Sequence, residues 1–240
     1  MNSFIKIIEI WTPNTIRSEL NLAQGLYGDY SELRIESEYF KFAFGEGLPG
    51  HCWSSAQPQI VSLLEESYFL RSEIVSRAGL QTAFAIPIFS GEFLQAVVLF
   101  MCGEKGQFGE SIELWKQRDQ QLYYQQGCYG NGLDKLAEQA PNSSFPPKDN
   151  LIGEAWQRHL PITVSDLSNS SLCQQHHQLA PLHNALALPL YLPGGEFVLN
   201  LLASSKNTIV QRSELWLPDK EHIQLHFHSG LCSQKSDLQQ

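Results

Sequence analysis

The apolar positions of this chain fall into short alternating runs rather than long stripes. Ile5–Trp11 is a β-branched run of strand length, closed by the turn formers Pro13, Asn14 and Thr15. Residues 18–24 alternate and place Leu20 and Leu22 on one face. The period changes over residues 67–78, where Leu70, Ile74 and Ala78 share a helical stripe and Gly79 stands at the closing position. Two strands follow, Thr82–Phe89 and Leu94–Met101, joined at Ser90-Gly91-Glu92. In the first of them small Ala83, Ala85 and Pro87 alternate with bulky Phe84, Ile86 and Ile88, and a hundred residues later Ala185, Ala187 and Pro189 alternate with Leu186, Leu188 and Leu190. One face of this strand lets a helix or a ligand approach closely, a packed helix being the commoner cause, and the other face fills a core.

The same pattern occurs twice because the chain is built from repeats. Tryptophan stands at 11, 115 and 216, each preceded two residues earlier by Glu, at spacings of 104 and 101. Leu20 and Gly25 map to Leu122 and Gly127, and then to Leu225 and Gly230; Tyr27 maps to Tyr129. Gly50, Trp53 and Pro58 recur as Gly153, Trp156 and Pro161, all at a spacing of 103. A period near 100 residues has the size of a small domain. The expected organisation is one domain over 1–106, a second over 107–212, and a third copy of the opening hairpin with a tail over 213–240, which completes the second sheet or pairs across a homodimer.

Composition narrows the functional classes. The 240 residues carry a formal charge of −9 with no basic cluster, which opposes binding to nucleic acid or to anionic lipid. No apolar run has the length of a membrane span, and the start of the chain does not read as a signal peptide. Five cysteines without a Cys-x-x-Cys spacing fit a reducing cytoplasm better than a disulfide framework.

The segment Gly45–Trp53 (GEGLPGHCW), the Gln57–Val61 turn and strand, and Arg77–Phe89 (RAGLQTAFAIPIF) together resemble a GAF domain in order and spacing. In the second copy Gly153, Trp156, Pro161, Asp166, Leu167 and Pro189 carry the resemblance. It implies an α+β fold: two tandem GAF/PAS-like domains, each an antiparallel sheet with short flanking helices, in a short form that lacks the family's long terminal helices. It also implies a non-catalytic module that senses a small molecule or regulates by interaction. The pocket positions carried over are His51, Cys52, Trp53, Tyr68, Phe69, Arg71 and Ala85 in the first unit, and Trp156, His159, Asp166, His176 and Ala187 in the second. The first unit is the expected binding unit, because it keeps the full Gly/Pro/Arg pattern. No cofactor is assigned. A protein-interaction or dimerisation module without ligand is one alternative. A cysteine-dependent enzyme resembling free methionine sulfoxide reductases, using Cys52, is another.

Three motifs invite chemistry on their own. Gly45-x-Gly47-x-x-Gly50 spells a dinucleotide fingerprint, but the sheet reads as antiparallel and Pro49 interrupts it. Cys52 has no partner cysteine in the following helix, and a buried structural thiol is the commoner case. His222, His226 and His228 share a strand face without the acidic or thiol ligands of a zinc site, so a solvated face is expected and no metal is assigned.

Overall fold

The computed structural model describes residues 2–63, 69–103, 110–169, 182–204, 207–209, 212–219, 221, 224–232 and 235–238. After β1 (Asn2–Ser3), the first unit runs β2 (Ile5–Pro13), β3 (Glu19–Leu26), α1 (Ser31–Tyr39), β4 (Lys41–Ala43), α2 (Gly47–Ser55), β5 (Gln59–Ser62), α3 (Ser72–Arg77), β6 (Thr82–Ser90) and β7 (Phe93–Cys102). The second repeats it as β8 (Glu110–Arg118), β9 (Gln121–Tyr129), α4 (Asp134–Gln139), β10 (Ser144–Phe145), α5 (Leu151–Arg158), β11 (Ile162–Val164), β12 (Leu182–Leu192) and β13 (Gly195–Ser204). Then come β14 (Asn207–Thr208), β15 (Arg212–Pro218), β16 (Leu225–Cys232) and β17 (Lys235–Leu238). Two six-stranded antiparallel sheets result, ordered β4-β3-β2-β7-β6-β5 and β10-β9-β8-β13-β12-β11. This is the expected α+β layout, used twice.

Each sheet buries one face under its own helices. Trp11, Leu20, Phe42, Leu48, Ala83 and Ala85 form the first core, and Trp115, Leu122, Phe145, Ile152, Ala185 and Ala187 form the second. The small-residue face of β6 is small because α2 lies on it: Cys52 Sγ reaches the carbonyl of Ala85 at 3.6 Å. Helix packing, not a ligand, therefore accounts for that alternation in the first unit. The bulky faces do something the repeat did not announce. Ile60, Phe84 and Ile86 of the first sheet meet Ile112, Leu114, Phe197, Leu199 and Leu201 of the second, so a third core lies between the sheets. Gln126 of β9 adds a polar tie across the same seam. Its side-chain amide accepts from the Ile60 N–H at 3.1 Å and donates to the Ile60 carbonyl at 2.5 Å.

The repeated Gly50 and Gly153 are explained by close approach. A Cβ on Gly50 would stand 2.3 Å from the carbonyl oxygen of Ala43, and a Cβ on Gly153 2.3 Å from that of Pro146. The first turns of α2 and α5 thus press directly on the preceding backbone.

Other expectations change. Within the expected helix over 67–78, residues 67 and 68 lie outside the described residues, Phe69–Arg71 are not helical, and the helix begins at Ser72. Leu70, expected on the buried stripe, is exposed, while Ile74 and Val75 are buried. Among the described residues the C-terminal hairpin does not complete the second sheet: β15, β16 and β17 pair among themselves. No helix among the described residues is long and apolar enough to cross a membrane.

Candidate functional site

The interior of the first unit is built around a carboxylate. Glu9 and Trp11 are two apart on central strand β2 and so point to the same face, beneath the helices. The Trp11 indole donates to Glu9 Oε2 at 2.9 Å, and Tyr27 donates to Oε1 at 3.0 Å. Arg71, just before α3, closes the group with a two-pronged ion pair: Nη1 to Oε1 at 2.7 Å and Nη2 to Oε2 at 2.8 Å. The Ser37 hydroxyl of α1 lies 2.6 Å from Glu9 Oε1 and accepts from Arg71 Nη1 at 2.5 Å. The rings of Trp11, Phe40, Phe42 and Phe69 all stand within 5.8 Å of the guanidinium carbon, an arrangement that holds a cation by its surrounding π faces. Both partners of the ion pair are buried. Burial alone would push the Glu9 carboxyl up, but the Arg71 charge and the hydrogen bonds from Arg71, Ser37 and Trp11 hold it below the usual range. The Tyr27 phenol is pushed up by burial and by the Glu9 charge.

The second unit repeats half of this. Glu113 occupies the place of Glu9, paired across β9 with Gly127 as Glu9 is with Gly25. It accepts from the Trp115 indole at 3.1 Å and from the Tyr129 hydroxyl at 3.1 Å. Asn200, which stands where the first unit has Leu99, adds a third hydrogen bond at 3.0 Å. All three partners are neutral, and burial pushes the Glu113 carboxyl up despite them. In the third copy Trp216 again donates to its Glu, Glu214, at 3.0 Å, but there both side chains are exposed.

The residues expected to line a pocket are dispersed. Phe69 and Arg71 come together, but as the filling of the first unit's interior rather than the wall of a cavity. Cys52 and Ala85 meet beneath α2, fully buried, and burial pushes the Cys52 thiol up. Trp53 packs edge-on against Phe44 with ring centres 5.2 Å apart, while His51 is exposed. In the second unit Trp156 is buried and donates to Glu196 at 2.8 Å. His159 is exposed and closes α5 in the left-handed conformation, and Asp166 accepts from the backbone and hydroxyl of Ser168. Ala187 is buried in the second core. Tyr68 and His176 lie outside the described residues. His226 and His228 are exposed on β16, His222 lies outside the described residues, and no cluster of metal-ligating side chains occurs among the described residues. The glycine run forms a closed turn, with Gly45 N–H donating to the Gly50 carbonyl at 3.0 Å and the Glu46 carboxylate accepting from Ala43 N–H at 2.9 Å. A described cleft of about 510 Å³ lies at the seam between the units, bordered by Ser62, Thr82, Gln126, Tyr129 and Asp134.

No family model matches the chain. Its sequence is 39% identical over 74 residues to the Arabidopsis thaliana transcription factor bHLH13, a match that takes in 29% of this chain and 12% of that protein. Solved structures similar to part of the chain include the GAF domain of a phosphoenolpyruvate-protein phosphotransferase from Coxiella burnetii, at 15% identity and a TM-score of 0.34 over 43% of this chain and 60% of that one. Another is the free methionine-R-sulfoxide reductase of Neisseria meningitidis, at 16% identity and a TM-score of 0.33 over 43% of this chain and 56% of that one. The chain thus spans less than two thirds of these proteins. These similarities to GAF domains take in less than half of the chain. What distinguishes the first unit is an interior closed by its own arginine, and what distinguishes the second is a buried Glu with neutral partners among the described residues.

Proposed function

We propose that the chain is a non-catalytic regulatory module in which the first GAF-like unit is a closed scaffold. The observation that carries this reading is the Arg71–Glu9 pair, which occupies the interior where a ligand of that unit would sit. The buried thiol of Cys52 supports it, since a nucleophilic cysteine must be reached as a thiolate and burial disfavours that form. The similarity to bHLH13 suggests gene regulation as the setting, and the charge of −9 suggests action through proteins rather than through DNA contacts.

Two measurements test this. Incubated with free methionine-R-sulfoxide and a dithiol, the protein is expected to release no methionine above the buffer background. Turnover that disappears in Cys52→Ser would overturn the non-catalytic reading. Tethered to a heterologous DNA-binding domain, the full chain is expected to change transcription of a reporter, and an unchanged reporter would remove gene regulation as its setting.

A further inference from the structure

The cleft of about 510 Å³ at the seam is bordered by three elements. One is the outer strand β5 of the first sheet, through Ile60 and Ser62. The second is the end of β9, over residues 126–130, and the third is the start of α4, with Asp134 and Ala137. Strand β5 pairs with β6 on one side, and its other side is the end of the sheet. Alternate residues of such a strand turn their N–H and carbonyl inward and outward. Leu63 turns inward and donates to the Gln81 carbonyl at 2.8 Å, whereas Ile60 turns outward to the Gln126 amide. Ser62, two residues from Ile60, therefore also turns its N–H and carbonyl outward, and it borders the cleft.

The Gln126 carboxamide shows what this edge accepts. It receives the Ile60 N–H and donates to the Ile60 carbonyl, the two-way exchange that one residue of an antiparallel strand makes with its partner. A side chain supplies that exchange at one residue only. The outward groups of Ser62 call for a second amide two strand residues further on, and a peptide backbone carries amides at that spacing. Ser62 and Thr82 add hydroxyls to the cleft, and Asp134 is the one charged side chain among its described lining residues. The chain as a whole carries −9.

We propose that the seam cleft binds an extended peptide segment of a partner protein, which adds to β5 at Ile60 and Ser62, displaces the Gln126 amide and turns a basic side chain toward Asp134. Main-chain hydrogen bonds to the strand edge hold the segment, and the charge selects it. The volume lies within the range of ligand pockets, roughly 300–1,000 Å³. The proposal deepens the regulatory reading by naming the chemistry of the protein partner, and it rests on that reading.

The test uses the full-length protein and three pools of end-blocked hexapeptides built from Ser, Thr and Val. One pool has a Lys fixed at its third position, one has a Glu there, and one is the Lys pool with its backbone amides N-methylated. N-methylation removes the main-chain donors and leaves the side chains. Hydrogen exchange of the Ser62 amide is followed by NMR. The expected result is a saturable slowing of that exchange with the Lys pool, at an affinity about two- to fivefold above that of the Glu pool, and no slowing with the N-methylated pool. Gln126→Ala is expected to bind the Lys pool about threefold or more tightly, because the peptide no longer competes with a side chain already in place. Ser62 exchange that the Lys pool does not slow overturns the proposal. So does N-methylated peptide that binds as well as the unmethylated, Glu peptide that binds as tightly as Lys peptide, or a Gln126→Ala variant that binds no more tightly than wild type. The wild-type titrations decide the question even if that variant folds poorly. A negative titration leaves the regulatory reading to its own assays, so the two fail separately.

Discussion

Arg71→Ala lowers the unfolding free energy by about 3–5 kcal/mol at neutral pH, the cost of leaving one half of a buried ion pair uncompensated. The magnitude follows from burial: Arg71 and Glu9 are both hidden from solvent, and two contacts of 2.7 and 2.8 Å bind them. The pH dependence separates lost charge pairing from lost packing. In the wild type the Glu9 pKa is lowered, so its contribution is fully present above the ordinary carboxylate value of 4.5 and is lost as pH falls through the lowered folded value. In Arg71→Ala only burial and neutral hydrogen bonds remain, and the Glu9 pKa rises instead. The deficit relative to wild type should therefore shrink as pH falls toward 4.5. Urea unfolding at the two pH values measures this, and a deficit independent of pH would assign the loss to packing alone. Glu113 titrates with the opposite sign. Its folded pKa is raised, so the cost of ionising it is present above that value and is relieved as pH falls.

Phe197→Ala lowers stability by about 3–5 kcal/mol and weakens both units together. Phe197 is fully buried in the core between the two sheets, with Lys116 Nζ 5.1 Å from its ring centre. The space left by the ring faces two stiff sheets that are already paired along their lengths, so it closes poorly. The expected signature is a single unfolding transition in the wild type, followed by both tryptophan fluorescence and far-ultraviolet circular dichroism, that moves to lower urea and broadens in the variant. A loss below about 0.5 kcal/mol, as at a surface position, would mean that the sheets are not held by this core.

The repeat was legible because rare residues keep their spacing: tryptophans and glycines each answer a geometric demand that small polar residues do not. Gly50 and Gly153 are the clearest case, since any side chain at either position meets a carbonyl oxygen. The alternation in β6 correctly marked two buried faces, but periodicity names a face without naming what covers it, so the inter-sheet core escaped notice. Helix α1 was not legible. Its nine residues contain four acidic or basic side chains and bury only Leu33 and Ser37, too little apolar contrast for a helical stripe. The candidate site was half legible. Phe69 and Arg71 are carried by the family resemblance, while Glu9 and Glu113 enter the sequence reading only through the repeat of the tryptophans. The Glu two residues before each tryptophan serves in the sequence as a marker of the repeat, and the same spacing puts acid and indole on one side of the strand.

The Gln126 amide at Ile60 has a consequence for how the two units can exist apart. Strand β5 is the outer strand of its sheet, and an outer strand with open N–H and carbonyl groups is a template for pairing with another molecule. A single side chain borrowed from the neighbouring unit occupies that template as one residue of an added strand would. Cut free of its neighbour, the first unit loses that guard together with the apolar cover of Ile60, Phe84 and Ile86. The duplication has thus made each copy the other's protection against aggregation, which ties the copies into one inherited piece.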